Sequence, residues 1–170
     1  MKKIILMAAM AVATMTANAQ VWMGGSLGYG FDKNNGFKTN TINVAPEIGY
    51  TLSDNWDIAI ALDYAVSFGD GTTVNTFGVN PYARYTFVKL DMVSFFVDGG
   101  FNVAAVKPSG SDATTTWGIA LRPGLALKVS DKVSLVSHIG GLGYQHSKNR
   151  NQFGLNVDNS AIDFGMYFSF

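Results

Sequence analysis

The chain of 170 residues contains no cysteine. No disulfide can therefore staple it in an oxidising compartment, and it cannot carry the lipid-modified cysteine of a lipoprotein. Charge is also scarce, at 14% of residues against about 25% in ordinary soluble domains. There are only two histidines, His138 and His146, and without cysteine they make no metal-ligand pattern. After the first 19 residues no apolar run approaches the ~18 residues a membrane-spanning helix needs. Nor is there a basic stripe of the kind that binds nucleic acid. Removing Lys2 and Lys3 leaves ten basic against 12 acidic side chains, a net charge of −2.

What is present begins with an export signal. Lys2 and Lys3 precede an apolar stretch from Ile4 to Val12, and Ala17-Asn18-Ala19 supplies the small-x-small pattern of signal-peptidase cleavage. We expect residues 1–19 to be removed after Ala19, leaving residues 20–170 as one domain. An exported chain with little charge, no staples and no spanning helix can still occupy a membrane as a closed β-barrel. In hydrocarbon every unpaired backbone N–H or C=O costs several kcal/mol, and a barrel pairs all of them.

The pattern of the mature chain is the period of two that a strand requires when one face is apolar and the other wet. It is clearest in the last stretch, Ser160 to Phe170, where Ile162, Phe164, Met166, Phe168 and Phe170 alternate with small or polar residues. The same alternation begins at Val21, Ile42, Trp56, Thr76, Val93, Trp117 and Val133, giving eight strands. In the seventh, Val133, Leu135 and Ile139 have odd parity but Leu142 and Tyr144 even, so a bulge is expected at Gly140-Gly141. Short turns at Ser53–Asn55, Lys89–Asp91 and Ser130–Lys132 alternate with longer polar connections at Lys33–Asn40, Gly69–Asn75, Lys107–Thr114 and Gln145–Asn159, the last with Phe153, Leu155 and Val157 expected to extend a hairpin above the membrane. A barrel inserted from one side has brief inner turns and longer outer loops. The fold expected is thus all-β, an eight-stranded antiparallel up-and-down transmembrane barrel with strands of about 11 residues crossing the ~25 Å apolar band.

Side-chain size decides which face meets lipid. One set is bulky and apolar; the other mixes Gly, Ala and Ser with Glu47, Asp57, Asp63, Arg84, Asp98, Arg122, Lys128 and Asp163. Eight strands enclose a lumen that side chains fill, and an arginine against mid-membrane lipid would cost about 2–4 kcal/mol. The ionic set is therefore expected to point inward as a polar network that plugs the barrel. Aromatic girdles are expected from Tyr50, Trp56, Phe87, Phe168 and Phe170 at one rim and Tyr29, Phe31, Phe68, Phe77 and Trp117 at the other.

The terminal alternation ending in Phe170, the strand Val79–Phe87 and the export signal together resemble the family of small eight-stranded outer-membrane β-barrels, among them outer-membrane protein X and the transmembrane domain of outer-membrane protein A. The resemblance covers essentially the whole mature chain. It implies the outer membrane of a Gram-negative bacterium, contact with outer-membrane lipid and lipopolysaccharide, and recognition of Met166, Phe168 and Phe170 by the barrel-assembly machinery. It leaves activity open, because one fold hosts many functions. No cofactor, metal or nucleic-acid partner is expected, and any surface ligand is unidentified.

Three roles fit. A monomeric plugged barrel would serve structure or surface interaction, such as adhesion or lipopolysaccharide contact, through outer loops with a slight basic excess including Lys33, Lys38, Lys107, Lys148 and Arg150. A conducting lumen would make it a narrow channel for ions or small solutes. The third, a lipid A modifying enzyme, would need His146 and Ser147 as base and nucleophile, yet adjacent residues on a strand face opposite ways. No catalytic residue is assigned, and a non-enzyme is expected.

Overall fold

The alternation closes into a ring. The computed structural model describes residues 21–34, 37–69, 71–148, 150–156 and 162–170; the export signal, including Ala19, lies outside them. The strands are β1 (Val21–Asn34), β2 (Phe37–Thr51), β3 (Trp56–Gly69), β4 (Thr72–Lys89), β5 (Val93–Pro108), β6 (Thr114–Lys128), β7 (Val133–Ile139), β8 (Gly141–Ser147), β9 (Arg150–Asn156) and β10 (Ile162–Ser169). Each wall strand pairs antiparallel with its neighbour in sequence, and β10 joins β7 to β1, with Trp22 opposite Ser169 and Ser26 opposite Gly165. Because β7 and β8 both pair with β6, they are two halves of one wall strand. The wall therefore has eight strands and is closed where Trp22–Ser26 of β1 pair with β10, which is how a sheet survives in lipid. Among the described residues no helix is long and apolar enough to cross a membrane.

The break between β7 and β8 falls at Gly140, which has φ of 69°. Gly124 pairs with His138 below it and Leu121 with Leu142 above it, so the register shifts by one residue. A positive φ is open to glycine without strain. The bulge moves the outward set from odd to even parity, and Leu135, Ile139 and Leu142 are all exposed on the outer face.

The expected long connections are where the structure differs. Asn34 pairs with Phe37, Gly69 with Thr72 and Ser147 with Arg150, so three of the four outer connections are two-residue hairpins. The polar residues between 33 and 40, 69 and 75, and 145 and 156 mostly continue strands. The fourth connection, after Pro108, is five residues long and contains Gly110 at φ 77°. Asn35-Gly36 and Asp70-Gly71 are the dipeptides that favour tight hairpin turns. The first six strands consequently have 14 to 18 residues. At ~3.4 Å per residue and ~45° tilt even 14 residues rise roughly 34 Å, so the hairpins stand above the ~25 Å band.

The two faces separate as their sizes demand. On β3, Trp56, Ile58, Ile60, Leu62 and Tyr64 are exposed outward while Ala61 is buried. Girdle residues Trp56, Phe87, Phe168 and Phe170 are exposed near one rim, and Tyr29, Phe31, Phe68, Phe77 and Trp117 near the other. The buried core inside is Trp22, Ala61, Tyr82, Phe96, Val136 and Tyr167. It is aromatic, whereas the sequence suggested small residues beside ionic ones.

Candidate functional site

Strands β2, β4, β5, β7 and β10 deliver one ionic cluster to the lower lumen. Arg84 on β4 stands directly opposite Asp98 on β5, and Asp98 stands opposite Arg122 on β6. Asp98 Oδ1 accepts from Arg84 Nε at 2.7 Å and Oδ2 from Arg84 Nη2 at 2.8 Å, a two-pronged pair. His138 Nε2 lies 2.7 Å from the same Oδ2. From Arg84 the chain of bonds continues through the Tyr167 hydroxyl, 3.2 Å from Nη2, which donates to Glu47 Oε1 at 2.9 Å. Tyr82 donates to Glu47 Oε2 at 2.5 Å.

The aromatics explain why charges tolerate this place. Arg84 is 5% exposed and Asp98 1%, and burying an isolated ion would cost several kcal/mol. The guanidinium carbon sits 3.8 Å from the Phe96 ring centroid, with Tyr167, Tyr82 and Trp22 at 5.2, 5.6 and 5.8 Å. Ring faces carry negative potential, so they partly replace lost water. Trp22 stacks on Tyr167 at 4.5 Å, and His138 meets Phe96 edge-on at 5.5 Å. Among the described residues no buried side-chain N or O lacks a hydrogen-bond partner. Such a network is rigid when complete.

The rest of the ionic set divides. Asp63 accepts from Asn80 Nδ2 higher in the lumen. Arg122 reaches 5.9 Å from the Tyr82 ring and lines two spaces, a small chamber of about 160 Å³ bounded by Glu47, Asp63, Asn80 and His138, and a vestibule of about 720 Å³ above it. Asp57 pairs with the Thr51 hydroxyl at 2.6 Å instead of with Arg84, its neighbour across the strands. Lys128 does not join the lumen network: it is 53% exposed and bonds Asp131 at 2.7 Å in the turn after β6, which holds the Asp131 carboxyl below its usual range. A lysine at a strand end reaches water more cheaply than it enters a dry lumen. Asp163 faces His138 in the backbone register, and its side chain lies outside the described residues.

Trp22, Tyr82 and Phe96 were not in the expected network. The available signal was parity: each occupies the wet face, where a bulky ring needs a partner inside. Elsewhere, His146 lies against Trp117 with ring centroids 5.4 Å apart, and its Nδ1 is 2.6 Å from the Asn151 amide oxygen. Met166, Phe168 and Phe170 are exposed on the outer face. No group of three His, Cys, Asp or Glu residues suited to a metal occurs among the described residues.

A closed eight-stranded antiparallel wall, apolar outside and ionic inside, defines an integral membrane β-barrel of the bacterial outer-membrane type. The chain belongs to the outer membrane protein beta-barrel domain family, whose model matches residues 4–170. Solved structures of the same fold include Neisserial surface protein A, with 18% identity over 89% of this chain and 96% of that one and a TM-score of 0.53. The N-terminal β-barrel domain of Pseudomonas aeruginosa OprF matches at 17% identity over 89% and 97%, with a TM-score of 0.54. Yersinia pestis outer membrane protein Ail, determined in a phospholipid bilayer nanodisc, matches at 15% over 90% and 100%, with a TM-score of 0.52. No curated protein sequence matches the chain.

Proposed function

We propose that the protein is a non-conducting outer-membrane barrel with a structural and surface-interaction role, exported by its N-terminal signal and assembled through its last strand. The observation that supports this is the Arg84–Asp98 pair enclosed by four aromatic rings, which occupies the lower lumen. An ion crossing the barrel would have to displace a paired, desolvated guanidinium. Surface contact then falls to the raised hairpins, where Lys107 and Lys148 are exposed and suited to lipopolysaccharide phosphates. The assembly machinery would read the exposed outer edge Met166, Phe168 and Phe170.

Planar-bilayer recording of the refolded protein tests the reading. No stable conductance steps are expected; reproducible steps would establish the narrow channel instead. A lipid A modifying role has less support, since His146 is partnered by an amide and not an acid.

A further inference from the structure

Asp98 has an arginine directly across the sheet on each side, Arg84 on β4 and Arg122 on β6. Only one of them is paired with it. Arg84 uses both carboxylate oxygens and His138 a further position on Oδ2, so three of the roughly four acceptor positions of Asp98 are taken. Arg122 is left to turn upward, its guanidinium over Tyr82 and its stem beside Gly141. Among the described residues no carboxylate lies within ion-pairing distance of it. A half-buried cation with no described carboxylate paired to it therefore stands between the small chamber and the 720 Å³ vestibule. The vestibule walls are mixed, with apolar surface from Ala104, Val106 and Tyr144, the carboxylate of Asp63, and polar groups of Asn80, Asn102 and Thr116 among them.

From this we infer that the vestibule is a binding site for a small hydroxylated carboxylate of monosaccharide size, with Arg122 holding the carboxylate and the carboxamides and hydroxyls reading the ligand's hydroxyl groups. Its volume falls in the ~300–1,000 Å³ range of small-molecule sites. Arginine matches a carboxylate with two parallel N–H bonds. Asn and Gln can both donate to and accept from a hydroxyl. Asp63 shares the wall, so a bare anion would meet repulsion there, whereas a sugar hydroxyl can donate to it. The same chemistry is offered by a free sugar acid and by the exposed end of an acidic surface glycan.

The experiment is isothermal titration of the refolded full barrel with glucuronate, methyl β-glucuronide, glucose and acetate. Glucuronate is expected to bind saturably, at least tenfold more tightly than glucose or acetate. Equal binding of the methyl glycoside assigns a glycan end, and its loss assigns the free sugar acid. R122Q is expected to weaken glucuronate tenfold or more, as is A104F, which fills the cavity and keeps Arg122; K132Q, at an exposed cation in the turn before β7 and outside the vestibule, should not. Heat-modifiable mobility on gels verifies that each variant is folded. Absence of saturable glucuronate binding by the wild-type protein, or unchanged binding in folded R122Q, would overturn the inference.

Discussion

The lower and upper lumen are built from the same wall and use arginine in opposite ways. Below, Arg84 is clasped by Asp98 and ringed by Phe96, Tyr167, Tyr82 and Trp22. Above, Arg122 starts from the neighbouring position on the same register row and faces an open polar space. The difference lies in what each arginine's neighbours leave available. His138 and Arg84 together take three acceptor positions of Asp98, and the aromatic residues fill the room beneath, so one arginine becomes packing and the other borders open space.

The most severe way to break the lower region is Asp98→Leu. It leaves Arg84 buried without a counterion, and a loss of about 3–5 kcal/mol is expected, measured by urea unfolding of the barrel in liposomes. Replacing both partners, Arg84→Met with Asp98→Leu, should restore most of that loss. An unchanged midpoint in the single variant would show that the pair contributes nothing.

Next in size is a contrast between wall faces. Ile60 is 40% exposed toward lipid and Ala61 6% exposed inside. Ile60→Arg should cost about 2–4 kcal/mol at mid-depth and reduce the folded, outer-membrane fraction, while Ala61→Ser leaves assembly near normal. Equal effects would mean that the faces are reversed.

Packing density separates the regions further. A Cβ at Gly49 would lie 2.1 Å from the Trp22 ring, whereas one at Gly154 in the raised β8–β9 hairpin meets nothing within 4 Å. Gly49→Ala is therefore expected to destabilise by about 1–3 kcal/mol, and Gly154→Ala to stay within about 0.5 kcal/mol of wild type. Thermal unfolding of the two variants gives the comparison directly.

The smallest expected effect links the two regions. His138→Leu vacates one position on Asp98 Oδ2, and Arg122 should swing down to occupy it. Glucuronate affinity would then fall about tenfold, or ~1.4 kcal/mol, with the barrel still folded. Unchanged affinity would show that Arg122 is held upward by Tyr82 and the vestibule walls alone.

Much of the wall was legible from residue order. Ile58, Ile60 and Leu62 against Ala59, Ala61 and Asp63 fix a strand and its faces, and Gly140-Gly141 marks the bulge. The first two outer connections were misjudged because Asn, Thr, Lys and Gly suggest loops, yet Asn34 pairs with Phe37 and Gly69 with Thr72. A strand above the membrane has no lipid to select apolar residues, so its composition resembles a loop.

By itself the sequence determined a two-faced, eight-stranded membrane wall, because period-two alternation and the cost of unpaired backbone in lipid act along the chain. Only the tertiary structure decided that Asp98 takes Arg84 and His138 and that Arg122 borders the vestibule. Which charges meet depends on register across β4, β5, β6 and β7 and on the rings that occupy the space between them. Tyr167 reaches Arg84 from 83 residues away, a contact set by barrel closure and by no local pattern.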